Sequence, residues 1–153
     1  GARRRVSMVH TRDMTTNTTI AALASIELFA GLSKKELAAI DRLMTPIDIK
    51  AGKEVIKEGT AGREAFIIVE GTASVWRDGK LIASVGKGAV LGEVALLANR
   101  SRTATVQAET AMTVEVLNRR EFEQLLDQSP AITRKLLVAT AKRVHQLEPS
   151  MLS

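Results

Sequence analysis

Between residues 46 and 117 the chain breaks into short apolar runs, each stopped by a turn, and this spacing restricts the fold more than any other feature. Ile47 and Ile49 alternate with polar residues before Ala51-Gly52, Val55-Ile56 precedes Glu58-Gly59, and Phe66-Ile67-Ile68-Val69 is a continuous run closed by Glu70-Gly71. Ser74–Trp76 and Leu81–Val85 flank Asp78-Gly79. That dipeptide favours a two-residue hairpin because both positions tolerate positive φ. Thr103–Ala108 and Met112–Leu117 supply two further strands. Short strands with glycine turns at such intervals build a β-sandwich or barrel, and a jelly-roll barrel (a double-stranded β-helix) fits them.

Helical patterns flank the strands. From Ile20 apolar residues recur at helical spacing through Ala21, Ala22, Leu23 and Ile26 to Leu28-Phe29, and Gly31 interrupts them. Ser33-Lys34-Lys35-Glu36 has the form of a capping box, with Leu32 and Leu37 placed for the hydrophobic staple. The helix it opens carries Leu37, Ile40, Leu43 and Met44 on one face and is expected to stop before Pro46. Asn118-Arg119-Arg120-Glu121 repeats that cap logic, with Leu117 and Phe122 as the staple, for a helix through Leu126 that ends near Ser129. Ser129-Pro130 then opens a last helix, serine at the cap and proline in the first turn. Ile132, Leu136, Leu137, Ala139, Ala141, Val144 and Leu147 give that helix a broad apolar face as far as Pro149. The expected fold is mainly β: a sandwich or jelly roll with N-terminal helices and two C-terminal helices. The chain of 153 residues divides into a polar, basic tail over 1–19, one domain over 20–147 and a C-terminal tail over 148–153.

The chemistry concentrates in Gly88–Ala108, GAVLGEVALLANRSRTATVQA. Gly92 allows close backbone approach or an unusual φ, and Glu93 follows it directly. Val94–Leu97 is an apolar run of a length for one helical turn. The first N–H groups of such a turn lack partners and sit at the positive end of its dipole, where an anion, most commonly phosphate, is welcome. Arg102, nine positions beyond Glu93, is a planar five-donor cation suited to phosphate oxygens. A carboxylate beside a phosphate is repulsive unless it has another task, and accepting a hydrogen bond from a ribose hydroxyl is such a task. The ligand described is a nucleotide with one phosphate and a free ribose hydroxyl. A turn with a solvated Arg–Glu pair is the plainer reading, and the alternating frame of Arg102–Ala108 weighs against it.

At these residues the sequence resembles the cyclic nucleotide-binding domain family. Its phosphate-binding cassette has the form F-G-E-[IL]-A-L, a short variable loop, then R-[STA]-A-[TS]-V-x-A. Leu91-Gly92-Glu93-Val94-Ala95-Leu96-Leu97 and Arg102-Thr103-Ala104-Thr105-Val106-Gln107-Ala108 stand at those positions. Leu91 replaces a common aromatic, and Ser101 replaces the proline that usually precedes the arginine. The resemblance implies that Glu93 takes the ribose 2′-hydroxyl and that Arg102, rather than its neighbour Arg100, takes the cyclic phosphate. The backbone N–H of Ala95 and the N–H and hydroxyl of Thr103 complete the cradle, and Gly92, Val94 and Ala104 belong to the same expected binding set. IELFAGLSKKELAAI is similar to the helical lead-in of the family, and the glycines at 52, 59 and 71 match its turns, so the resemblance spans residues 20–145. It further implies that the last helix, with Leu136 and Leu137, closes as a lid over the base. Leu96 would be a hinge leucine that moves with the phosphate. For both the helix and Leu96, ordinary core packing is the other reading.

The formal charge of +5 and pI of 9.9 invite a nucleic-acid partner, but the charge is unevenly placed. Arg3, Arg4, Arg5 and Arg12 against Asp13 give residues 1–19 a charge of +4 − 1 = +3, leaving +2 for the rest. A solvated tail is the expectation, and nucleic acid is not the expected partner. The absence of cysteine excludes disulfides and thiolate metal sites and fits a reducing, cytoplasmic setting. No apolar run approaches the roughly 18 residues that span a bilayer. GARRRVSM lacks the apolar segment of a secretory signal, and a start at Gly1 rather than Met suggests trimming or a tag. His10 and His145 are the only histidines and stand far apart. No cupin-like metal centre and no Ser–His–acid or Cys–His set can be assembled from them, so no metal, no cofactor and no enzymatic activity are expected. Trp76, the single tryptophan, is expected at the surface or edge of the hairpin rather than stacked on a base.

The function expected is a sensor for 3′,5′-cyclic AMP. Cyclic GMP stays open, because Thr103 carries a hydroxyl that reaches the guanine amino group in family members selective for cyclic GMP, and bacterial cyclic AMP binders also accept Ser or Thr there. Binding would draw the cassette inward through Leu96 and reposition residues 118–147. Those helices would then address a protein partner or a fused effector, the chain being a regulatory part of a larger enzyme or channel. No helix-turn-helix pattern follows the last helix within these residues, so a DNA-binding regulator of the catabolite-activator kind is not expected from this piece. A degenerate domain that binds no nucleotide and serves as an interaction module is the competing class.

Overall fold

A strand buried on both faces has no polar alternation, and residues 65–69 form such a strand in the computed structural model, which describes residues 20–147 and the side chains of residues 20–142. The two expected tails, His10, and the side chains of Val144, His145 and Leu147 lie outside the described residues. The strands are β1 (Thr45–Ile49), β2 (Glu54–Ile56), β3 (Glu64–Glu70), β4 (Ala73–Arg77), β5 (Lys80–Val85), β6 (Val90–Leu91), β7 (Thr105–Ala108) and β8 (Met112–Asn118). They pair antiparallel in two four-stranded sheets ordered β1-β8-β3-β6 and β2-β7-β4-β5. Successive strands mostly change sheet, which is the jelly-roll arrangement, and among the described residues the two sheets do not close into a hydrogen-bonded barrel.

The interior is double. Phe66, Ile68 and Leu91 from one sheet meet Ile56, Val106 and Ala108 from the other to fill the sandwich. On the reverse face of the first sheet Ala65, Ile67 and Val69 pack under helices. The period of two along a strand sends neighbouring residues of β3 to opposite cores, so both sets must be apolar.

Those helices are α1 (residues 20–24), a 3₁₀ turn at Glu27–Phe29, α2 (Lys34–Asp41), α4 (Arg119–Gln128) and α5 (Pro130–Leu147), while the short α3 (Glu93–Leu97) belongs to the site. Both expected capping boxes are present: Glu36 N–H donates to Ser33 Oγ, and Glu121 N–H donates to Asn118 Oδ1, with the glutamates returning the bond to the cap N–H. Ser129 Oγ accepts from Ile132 N–H at 3.2 Å, and Pro130 opens α5 as expected. Phe122, Leu125 and Ile132 are completely buried, and burial of side chains of this size contributes about 1.5–3 kcal/mol each. Lys135 ties α5 to the N-terminal segment, its Nζ donating to the carbonyls of Glu27 (2.8 Å) and Ala30 (3.2 Å).

Three elements differ from expectation. The helical pattern from Ile20 to Phe29 is interrupted at Ser25, whose Oγ donates to the Ala22 carbonyl at 2.6 Å, and Ile26 turns extended at φ −87° and ψ 131°. A serine hydroxyl that bonds the backbone competes with helix continuation. Helix α2 stops at Asp41, although Met44 beyond it still reaches the core. The pair Val90–Leu91 forms a strand of two residues against Ile67 and Phe66, too short to leave a period in the sequence. The hairpin at Asp78-Gly79 is as expected, with φ values of 52° and 76° and Arg77 opposite Lys80.

Candidate functional site

Strand β6 delivers Leu91 into Gly92, which caps α3 at φ 81° and ψ 1°. A side chain is excluded there for two reasons. The left-handed conformation is costly for L-residues, and a Cβ would collide with Arg102 Nη1 while lying 2.9 Å from the Glu64 carbonyl oxygen. Arg102 fills that space: Nη1 donates to the Gly92 carbonyl at 3.1 Å and Nη2 to the Glu64 carbonyl at 2.8 Å. Its guanidinium also lies 5.9 Å from the centre of the Phe66 ring. Burial pushes the Arg102 pKa down from its ordinary value, with the Glu64 charge opposing, and a guanidinium stays protonated under both influences.

The loop between α3 and β7 is held from both sides. Arg100 N–H donates to the Ala95 carbonyl at 3.0 Å, Asn99 takes φ 53°, and Ser101 bridges to Ala61. Arg102 N–H then donates to the Thr60 carbonyl at 2.7 Å, and its carbonyl accepts from Gly59 N–H at 2.9 Å. Gly62 lies against α3, where a Cβ would collide with that of Ala95. Nothing local in the sequence marks Gly62, because its role is a close approach between segments distant in the chain.

Together these elements line a cavity of about 490 Å³, within the range of small-molecule sites. Gly92, Glu93, Val94 and Ala95 line it, as do Arg102, Thr103 and Ala104 just before β7, so the whole expected binding set meets at one cavity. Glu93 is only 4% exposed although charged. Apolar side chains line it as well, Val75 from β4 and Ile82 and Val85 from β5. Glu93 is the one carboxylate among the described residues lining the cavity.

The residues assigned to hinge and lid pack as follows. Leu96 is 1% exposed and packs in the helical core, as does Leu136, while Leu137 is 69% exposed. None of the three lines the cavity; α5 reaches it through Ala139 and Lys142 instead. Arg77 and Ser84 are further lining residues without a signal in the sequence. Arg77 Nε donates to the Thr103 carbonyl at 3.1 Å, a contact that depends on the register of β4 against β7. Trp76, one residue before it, points elsewhere and bonds Ser74 Oγ through Nε1 at 2.9 Å. Among the described residues no group of histidine and acidic side chains could hold a metal ion, and no helix is long and apolar enough to cross a membrane.

The family model described as cyclic nucleotide-binding domain matches residues 46–129. The cGMP-dependent protein kinase egl-4 of Caenorhabditis elegans is 37% identical over 94 residues, which make up 61% of this chain and 12% of the kinase. Among solved structures, cAMP-bound PfPKA-R aligns with a TM-score of 0.76 at 26% identity, covering 89% of this chain and 47% of that one. The regulatory subunit of a cAMP-independent protein kinase A from Trypanosoma brucei aligns with a TM-score of 0.76 at 28% identity, covering 90% and 52%. The chain thus spans a small part of the kinase and about half of each regulatory chain.

Proposed function

The chain belongs to the cyclic nucleotide-binding domain family, and on that basis we propose that residues 20–147 form a sensor whose cavity takes 3′,5′-cyclic AMP. The observation that carries the proposal is that Glu93 and Arg102 line one cavity together with the apolar Val75, Ile82 and Val85. Arg102 spends one N–H on Gly92 and one on Glu64, leaving other donors of its fork for the cyclic phosphate. The N–H of Ala95 and the N–H and hydroxyl of Thr103 complete the cradle, and Gly92, Val94 and Ala104 shape it. Glu93 accepts from the ribose 2′-hydroxyl, a task that justifies a buried carboxylate near a phosphate.

The base lies over Val75, Ile82 and Val85, with Ala139 of α5 above it. Cyclic GMP is the competing ligand, since the Thr103 hydroxyl is available to a guanine amino group. Adenine is taken as the preferred base, and among the described residues Glu93, assigned to the ribose, is the one carboxylate lining the cavity. Ligand entry shifts the cassette through Leu96, whose side chain shares a core with Leu125, Ile132 and Leu136, and so biases α4 and α5. These helices are the output toward a protein partner or a fused effector in a reducing, cytoplasmic compartment, and the chain is a regulatory part of a larger assembly rather than its catalytic one.

A nucleotide-free interaction module is the second reading. It stands beside the first because a chain of the same fold is the regulatory subunit of a cAMP-independent protein kinase A, so this fold does not by itself entail a response to cyclic AMP. Calorimetric titration with cyclic AMP and cyclic GMP separates the two. One-to-one binding by the full chain is expected, tighter for cyclic AMP. Arg102→Ala should lose roughly 1.5–3 kcal/mol of affinity, the scale of a charge-assisted hydrogen bond. A folded protein that gives no heat with either nucleotide would favour the interaction module.

A further inference from the structure

A second hollow of about 760 Å³ opens beside the cassette, bordered by Arg63, Arg100, Arg119 and Arg120. It shares α3 and the following loop with the nucleotide cavity but no lining residue. Among the described residues no aspartate or glutamate lines it. Glu121, which lies next in the chain, is engaged with the N–H of Asn118 in the capping box. Arg63, Arg100 and Arg120 are exposed, and among the described residues they make no ion pair or side-chain hydrogen bond. Arg119 is positioned differently, its Nη2 donating to Asn99 Oδ1 at 3.2 Å. Four like charges held around one hollow repel one another, and an anion placed among them removes that repulsion and gains bidentate partners.

We propose that this cleft docks an acidic segment of a partner polypeptide, anchored by a side-chain oxyanion, either carboxylate or phosphoryl. A duplex presents its phosphates along a line, one charge for about every 1.7 Å of axis, whereas these guanidinium groups border a single concavity. The amide and hydroxyl groups of Asn99, Ser101 and Asn118 on its rim suit a peptide backbone. The docked segment would touch Arg100 and Ser101, immediately before Arg102, and the first turn of α4, so it would sit against the two elements proposed to move with ligand. The docking site itself does not depend on nucleotide binding.

Fluorescence anisotropy on the full chain tests this with three labelled peptides of equal length: a polyglutamate, a Ser-Gly repeat carrying one phosphoserine, and the same repeat unphosphorylated. At least one anionic peptide should saturate while the neutral repeat does not, and the tighter of the two names the oxyanion. The double variant Arg63→Glu/Arg120→Glu should weaken that binding roughly tenfold or more, with thermal unfolding no lower than the parent's and the cyclic AMP titration unchanged. Equal binding by the double variant would assign the peptide to other basic residues, Arg3–Arg5 among them, and overturn the proposal. So would absence of saturation below about 1 mM, or displacement of the peptide by a short DNA duplex at lower concentration than by unlabelled peptide.

Discussion

The Arg102 side chain is held twice by backbone carbonyls, at Gly92 and at Glu64, so removing the arginine leaves both carbonyls without that donor. Gly92→Ala puts a methyl group where Nη1 now lies and forces a left-handed φ on an L-residue. The conformational term alone is about 1–2 kcal/mol, and displacement of the arginine adds to it. Urea unfolding should show a loss of at least that size, and the same variant should lose most of its cyclic nucleotide affinity. A variant as stable as the parent would mean that the cassette relaxes freely around position 92. Glu93, although equally local in sequence, depends on the fold in another way. It is 4% exposed, a burial set by how α3 packs in the folded chain rather than by its neighbours in sequence.

At the scale of elements, the two capping boxes start helices whose apolar faces, Leu37 and Ile40 on α2 and Phe122 and Leu125 on α4, pack in the helical core. Asn118→Ala removes the acceptor for Glu121 N–H and should cost about 1 kcal/mol by chemical denaturation. It also loosens the first turn of α4 next to Arg119, which holds the loop at Asn99. At the other end of α2, Asp41 carries a negative charge in the last turn, where the dipole disfavours it. Burial pushes its pKa up from the usual 3.8, with the charge of Arg42 pulling it back. The sign follows from that direction. Above the folded-state pKa the ionised form disfavours folding, and below 3.8 the acid is neutral in both states. Asp41→Asn should therefore raise stability near pH 7 by roughly 0.3–1 kcal/mol and lose that advantage toward pH 3. Melting curves at the two pH values check it.

For the whole molecule, α5 joins the helical core to the cavity. Its first turns are anchored by Ile132, Leu136 and the Lys135 bonds to Glu27 and Ala30, and its next turns bring Ala139 and Lys142 to the cavity wall. A ligand that binds only the folded chain should stabilise it by about 2.7 kcal/mol at one hundred times its dissociation constant. A thermal shift series in cyclic AMP should follow that dependence, and Arg102→Ala should flatten it. A shift that survives in the variant would place the nucleotide elsewhere.

Much of this protein was legible before its structure because the relevant signals are local. Alternation and turn residues mark most of the strands, Asp78-Gly79 takes the positive φ values its hairpin needs, and Ser33 and Asn118 bond within three residues of themselves. The cassette residues are likewise two contiguous segments, so their convergence on one cavity needs only a short loop between them. Tertiary structure alone decided the rest. Sequence period leaves the rotation of α5 open among several apolar residues, and packing sent Leu136 inward, Leu137 outward and Ala139 to the cavity. Sheet register, which local residues do not specify, joined Arg77 to Thr103. Close approach of distant backbone made Gly62 necessary under Ala95, and the folding of three separate segments brought Arg63, Arg100 and Arg119-Arg120 around one hollow.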